Sequence, residues 1–139
     1  MKYRAAVLGC GRIGAGFNWP PAPYLYDHCS AYQALPERVS LDWVFDKDPA
    51  CARAAGEKFD VWNGTGPDWQ FQLDATLRYY PVDLVSICTQ PEDRADLIGI
   101  LSQHRCIRAA WIEKPLAVRE WPPDWKVNVN YIRRFDPRH

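Results

Sequence analysis

Short runs of apolar residues alternate along this chain with stretches of helical periodicity. The apolar runs are rich in Val, Ile and Leu, as expected for parallel strands that are buried on both faces of a sheet. Together they predict an α/β fold in which a mostly parallel sheet carries helices on both faces. Strands are predicted over residues 4–8, 40–45, 84–88, 109–112 and 126–131, with a weaker one at 61–62, and helices over 30–35, 68–79, 92–103 and from Pro49 onward.

With 139 residues, the chain is expected to form one domain, residues 1–139. Two segments of this domain interrupt the alternation of strands and helices. Residues 16–27 form an insertion rich in proline and aromatic residues, and residues 118–126 are too short and too rich in proline for a regular crossover helix. The last strand is therefore expected either to follow a tight, irregular crossover in parallel, or to run along an edge or reach a neighbouring subunit.

Charge and cysteine content exclude several classes of function. Seventeen basic and seventeen acidic residues balance, so neither nucleic acid nor an anionic membrane surface is an expected partner. The five cysteines form no CxxC pair and have no histidine at ligand spacing, which favours reduced thiols and predicts no metal site. No apolar run approaches the length of a membrane span or a signal peptide, so we expect a soluble, cytoplasmic protein.

A glycine motif follows the first predicted strand. Gly9, Gly11 and Gly14 in "GCGRIG" form the pattern GxGxxG. In such a loop the first glycine permits a tight turn, the second lets the backbone approach a pyrophosphate, and the third lets the helix pack closely on the sheet. This context predicts a dinucleotide site in a doubly wound, Rossmann-like fold. The alternative is a glycine turn that serves packing alone.

An acidic residue ends the second predicted strand, in "VFDKD". Asp46 stands where a carboxylate would bind the hydroxyl groups of an adenosine ribose. Such a carboxylate favours NAD, because it would repel the 2′-phosphate of NADP, whereas the nearby cations Lys47 and Arg12 leave NADP open. Asp46 could instead be a solvated turn residue before the helix cap at Asp48.

Four stretches carry a resemblance to a known family. "AVLGCGRIG", "HCSAYQALPERVSLDWVFDKDP", "VDLVSICTQPEDRADLI" and "WIEKPLA" resemble the N-terminal half of the glucose-fructose oxidoreductase/inositol dehydrogenase (Gfo/Idh/MocA) family. The ending "VNVNYIRRFDP" is also similar. The resemblance implies an NAD(P)-dependent oxidoreductase acting on sugars or polyols, whose Rossmann domain is followed by a larger substrate domain.

Matched residue by residue, the resemblance implies a set of site residues. Arg12 and Ile13 would line the pyrophosphate together with Gly9, Gly11 and Gly14, and Asp46 would bind the ribose. Thr89, Gln90 and Pro91 would form the loop beside the nicotinamide. Glu113, Lys114 and Pro115 match the family's Glu-Lys-Pro motif, in which Glu113 would lie at the cofactor and Lys114 would be the catalytic lysine.

The match also fails in places. The family's catalytic Asp and His of the second domain have no counterpart here, and Arg94 stands where many relatives carry His. The histidines at 28, 104 and 139 are expected to be structural or solvent-facing rather than general acids. The chain is therefore either a minimal oxidoreductase completed by another subunit or a non-catalytic dinucleotide-binding sensor or regulatory module. A degenerate remnant without cofactor fits the intact motif less well.

Aromatic residues are unusually frequent. Trp19, Tyr24, Tyr26, Trp121 and Trp125 could cover, within the chain, the apolar face that the missing second domain would leave, or pair subunits across it. A homodimer or another homo-oligomer is expected on this basis. Ordinary core packing would explain the same residues.

Overall fold

The computed structural model describes residues 1–16 and 27–130. Nearly all of the insertion predicted at 16–27 lies outside the described residues, and with it Trp19, Tyr24 and Tyr26. The same holds for His139 and for the end of the predicted last strand.

One six-stranded parallel sheet forms the centre of the described structure, in the order β3-β2-β1-β4-β5-β6. The predicted α/β, doubly wound class is confirmed. The chain runs outward from β1 to β3, then returns to the other side of β1 and runs outward again to β6. The strands are β1 (Tyr3–Leu8), β2 (Val39–Phe45), β3 (Trp62–Gly64), β4 (Leu84–Ile87), β5 (Ala109–Glu113) and β6 (Lys126–Asn130).

In the described part of the chain, four α-helices connect the strands, with single turns of π-helix at Arg12–Gly16 and of 3-10 helix at Pro91–Asp93. The cap predicted at Asp48 is present, because its Oδ1 accepts a hydrogen bond from the Ala50 amide at 2.9 Å. No helix among the described residues is long and apolar enough to cross a membrane. The helices are α1 (His28–Gln33), α2 (Pro49–Phe59), α3 (Trp69–Tyr79) and α4 (Arg94–Leu101).

Alternate residues of the strands point into two separate cores. Leu8 and Ile87 belong to a cluster with residues of α3 and α4, whereas Val7 and Val44 belong to one with residues of α1 and α2. Each face of the sheet is thus covered by its own pair of helices, which explains why the strands read as continuous apolar runs.

The short crossover from β5 to β6 places the last strand in parallel. Lys126 to Asn130 pairs in register with Ala109 to Glu113. Trp125 is 7% exposed within the core, and Trp121 and Val118 pack against the same cluster. The last strand therefore joins the sheet in parallel, beside β5 and at the edge of the sheet.

Candidate functional site

A cavity of about 250 Å³ opens at the carboxyl ends of β1, β2 and β4. The strand order reverses between β1 and β4, and ligands of doubly wound sheets bind in the crevice at that point. Five of the predicted site residues line this cavity: Gly9, Gly11, Asp46, Thr89 and Gln90.

Gly9 and Gly14 hold the loop in its tight shape. Gly9 has a φ of +95°, and a Cβ there would lie 2.6 Å from the backbone carbon of Cys88. A Cβ on Gly14 would lie 1.9 Å from the carbonyl oxygen of Gly9. Neither position accepts a side chain, since backbone atoms occupy the space it would need.

Gly11 differs from both of its neighbours in the motif. Among the residues that the structure describes, a Cβ at this position meets no atom within 4 Å, and Gly11 lines the cavity. The described part of the fold therefore does not require glycine here. What glycine provides at position 11 is an open space in which another molecule can approach the backbone.

Asp46 is fixed to the glycine loop. Its Oδ2 accepts a hydrogen bond from the Cys10 amide at 2.7 Å, and its Oδ1 accepts one from the Asp48 amide at 2.8 Å. The residue is half-buried and lines the cavity. One carboxylate oxygen of Asp46 is therefore held against the glycine loop, and the other closes the turn before the Asp48 cap. Each carboxylate oxygen keeps a lone pair for a hydroxyl donor.

The remaining walls of the cavity are mostly apolar. Phe45, Trp69 and Leu97 supply large side chains to its lining. The hydroxyl oxygen of Thr89, a residue of that lining, is buried and has no hydrogen-bond partner within residues 1–16 and 27–130. An apolar cleft with a few convergent polar groups is typical of a small-molecule site.

Three cysteines adjoin this loop and remain protonated. Burial is the main cause that raises the pKa of the Cys10 and Cys51 thiols, and the negative charge of Asp46 adds to it. Burial also raises the pKa of the Cys88 thiol well above its ordinary value, with a smaller contribution from the charge of Glu113. Because the thiolate is the reactive form of cysteine, these side chains act as small apolar groups rather than as nucleophiles. Cys51 and Cys88 line the cavity, whereas Cys10 is buried in the core.

A buried polar network lies beneath the Glu-Lys-Pro motif. Glu113 is 4% exposed and its Oε1 accepts hydrogen bonds from Nε2 of His28 at 2.7 Å and from the side-chain Nδ2 of Asn130 at 2.6 Å. His28 Nδ1 contacts the Ser86 hydroxyl at 2.8 Å, and that hydroxyl also contacts Tyr32. Burial would raise the pKa of Glu113, but the bonds from His28 and Asn130 outweigh it and lower the pKa.

Arg94 connects the two loops that follow β4 and β5. Its side chain is buried and donates hydrogen bonds to the carbonyl oxygens of Thr89, Glu113, Lys114 and Pro115. Burial lowers the pKa of this guanidinium. A planar group with five donors suits such a set of carbonyls, which explains why arginine can stand at this position.

The other predicted site residues lie outside the cavity. Arg12 is exposed in the π-helical turn, and Ile13 lines a neighbouring cavity of about 300 Å³ with His28 and Trp111. Pro91 opens the 3-10 turn. Lys114 is exposed directly after β5, whereas Glu113 is buried in the polar network.

Sequence reasoning missed several residues of this region. Trp69 and Asp93 line the cavity, and both could have been found, because each stands at the start of a predicted helix, at the same sheet edge as the glycine loop. The contact between His28 and Glu113 joins residues 85 positions apart, and no sequence spacing signals it.

No protein-family model matches the chain, and no curated protein matches its sequence. Solved structures do resemble it. The WlbA dehydrogenase from Chromobacterium violaceum, solved with NADH and UDP-GlcNAcA, is 28% identical, and the match covers 85% of this chain and 29% of that one at a TM-score of 0.61. An inositol-dehydrogenase-like protein from Sinorhizobium meliloti 1021 is 26% identical over 98% of this chain and 38% of that one, at a TM-score of 0.67.

These structural relatives are dehydrogenases of the Gfo/Idh/MocA type. The match falls on their N-terminal Rossmann part, as the sequence resemblance predicts. RSP, a Rex-family repressor solved with NADH, is 15% identical to this chain. That match covers 96% of this chain and 55% of RSP at a TM-score of 0.69, and it shows a shared fold alone. The chain spans 29–55% of the length of these three relatives. Its fold is that of the NAD-binding oxidoreductases.

Proposed function

We propose that this chain binds NAD(H) in the cavity at the switch point, as the nucleotide-binding unit of an oxidoreductase related to sugar and polyol dehydrogenases. The observation that carries the proposal is the contrast among the three glycines. Gly9 and Gly14 are required by the fold, whereas Gly11 faces open space at the cavity. A motif retained for packing alone would have no need of glycine at position 11.

The residues around the cavity fit the parts of a dinucleotide. The backbone at Gly11 would hold the pyrophosphate, and Asp46 would accept hydrogen bonds from the ribose hydroxyls. At about 250 Å³, the cavity is slightly below the range of about 300–1,000 Å³ for drug-sized ligands, so it suits one nucleoside half. When bound, the nicotinamide supplies hydride transfer, while the residues of this chain bind and orient it.

The test compares two valine variants in a calorimetric titration with NADH. Gly11→Val fills the space at the cavity, whereas Gly99→Val adds the same volume on α4, where a Cβ also meets no described atom within 4 Å. We expect saturable binding by the unaltered chain and by the Gly99 variant, and none by the Gly11 variant. Unchanged affinity in Gly11→Val would refute the site.

Catalysis is the second part of the proposal and rests on Lys114. This lysine is exposed at the carboxyl end of β5, the edge of the sheet at which ligands of this fold bind. Lys114→Ala should keep the NADH affinity of the unaltered chain but abolish turnover in a screen of sugars and polyols with NAD. NADH binding without turnover of any of them by the unaltered chain would favour the alternative, a non-catalytic sensor or regulatory module.

A further inference from the structure

An ion pair spans the cavity beside Asp46. Lys47 follows Asp46 at the end of β2, and Asp93 closes the 3-10 turn after β4. The ammonium of Lys47 lies 2.8 Å from Oδ2 of Asp93, and both residues line the cavity. The Lys47 side chain is 55% exposed and that of Asp93 is 19% exposed. The pair therefore connects the two loops that border the proposed adenosine site.

The two neighbours at the end of β2 have opposite preferences for the cofactor. Asp46, held by two backbone amides, would repel a phosphate on the ribose. An unpaired ammonium on Lys47 would attract that phosphate. In this structure the ammonium of Lys47 is instead paired with the carboxylate of Asp93.

We propose that Asp93 is a specificity-determining residue, which withholds Lys47 from a 2′-phosphate and so makes the site select NAD over NADP. This inference rests on the proposed function and names the cofactor class of the same site. Within the described residues, the Asp93 side chain makes no capping hydrogen bond to α4. Replacing its carboxylate should therefore not remove a cap from that helix.

The test measures the dissociation constants of NADH and NADPH for the unaltered chain and for Asp93→Asn, Lys47→Gln and the double variant. Asp93→Asn should tighten NADPH binding about three- to tenfold, because Lys47 is released toward a doubly charged phosphate. NADH affinity should change by less than about twofold, since NADH has no such phosphate. In the double variant the gain for NADPH should vanish.

Each contrary result has its own meaning. A gain for NADPH that persists in the double variant would mean that Asp93 repels the phosphate directly, without Lys47, and would overturn the inference. An equal gain for both cofactors would make the ion pair a barrier to cofactor access, not a selector, and would also overturn it. If the chain binds NADH but Asp93→Asn leaves the ratio of the NADPH and NADH dissociation constants unchanged, the inference alone is refuted. If the unaltered chain binds neither cofactor, the proposed function is refuted as well.

Discussion

Gly14 and Gly11 belong to one motif but are constrained by different surroundings. A Cβ at position 14 would lie 1.9 Å from the Gly9 carbonyl oxygen, whereas one at position 11 meets no atom of the described residues within 4 Å. Gly14→Ala should therefore lower the free energy of unfolding by about 1–3 kcal/mol, the usual cost of overpacking, and Gly11→Ala by less than about 1 kcal/mol. Urea unfolding of the two variants measures the difference, and equal losses would contradict the assigned packing.

The carboxylate of Glu113 makes a pH-dependent contribution to stability. Its pKa is lowered in the folded chain by the hydrogen bonds from His28 and Asn130, which exceed the effect of burial. A lowered pKa stabilises the fold at pH values above the ordinary pKa of glutamate, about 4.3, and the contribution is lost as the pH falls through the folded-state value. Glu113→Gln should therefore lose less stability on acidification than the unaltered chain.

Thermal unfolding between about pH 3 and pH 6 measures how steeply the stability falls on acidification, since this range brackets the ordinary pKa of glutamate. Asp74 provides a control, because hydrogen bonds from His104 and Arg78 lower its pKa at a more exposed position. Asp74→Asn should leave the contribution of Glu113 to stability in place. A loss of stability on acidification that is steeper in Glu113→Gln than in the unaltered chain would contradict the lowered pKa.

The residues of the site differ in how far the sequence could predict them. Gly9, Gly11 and Asp46 follow strands at fixed offsets, so local spacing is enough to place them at one sheet edge. The network around Glu113 could not be predicted, because it joins four elements that only the tertiary fold brings together. Lys114 was placed correctly at the end of β5, but its exposure depends on the path of the crossover.

At the scale of elements, the crossover from β5 to β6 depends on its tryptophans. Trp125 is 7% exposed and packs in the core shared with α4. Trp125→Ala should lower the free energy of unfolding by about 3–5 kcal/mol, the usual cost of truncating a buried aromatic side chain. Phe71, 71% exposed on α3, is the matched control, and Phe71→Ala should change stability by less than about 0.5 kcal/mol.

Denaturant titration of both variants tests this role of the crossover. A loss for Trp125→Ala no greater than that of the control would mean that the tryptophan does not replace a crossover helix. The sequence predicted the short crossover but left its geometry open, since proline excludes a regular helix without specifying what covers the sheet. Burial of Trp121 and Trp125 supplies that answer.

At the scale of the whole molecule, self-association remains a prediction. Of the five aromatic residues on which it rests, Trp125 is buried in the chain's own core, Trp121 packs partly exposed against that core, and the other three lie outside the described residues. The solution mass, measured by light scattering with and without NADH, tests it. A mass above 16.1 kDa that corresponds to a whole number of chains would support a homo-oligomer, and a monomer would refute it.

An NMR titration of the ¹⁵N-labelled chain with NADH tests whether NAD(H) binds at the switch point. We expect saturable shifts of the backbone amides of Gly11, Lys47 and Thr89, and unchanged amides of Gly99 and Asn128, which lie outside the cavity lining. Absence of saturable shifts, or shifts confined to the neighbouring cavity at His28 and Trp111, would contradict binding at the switch point.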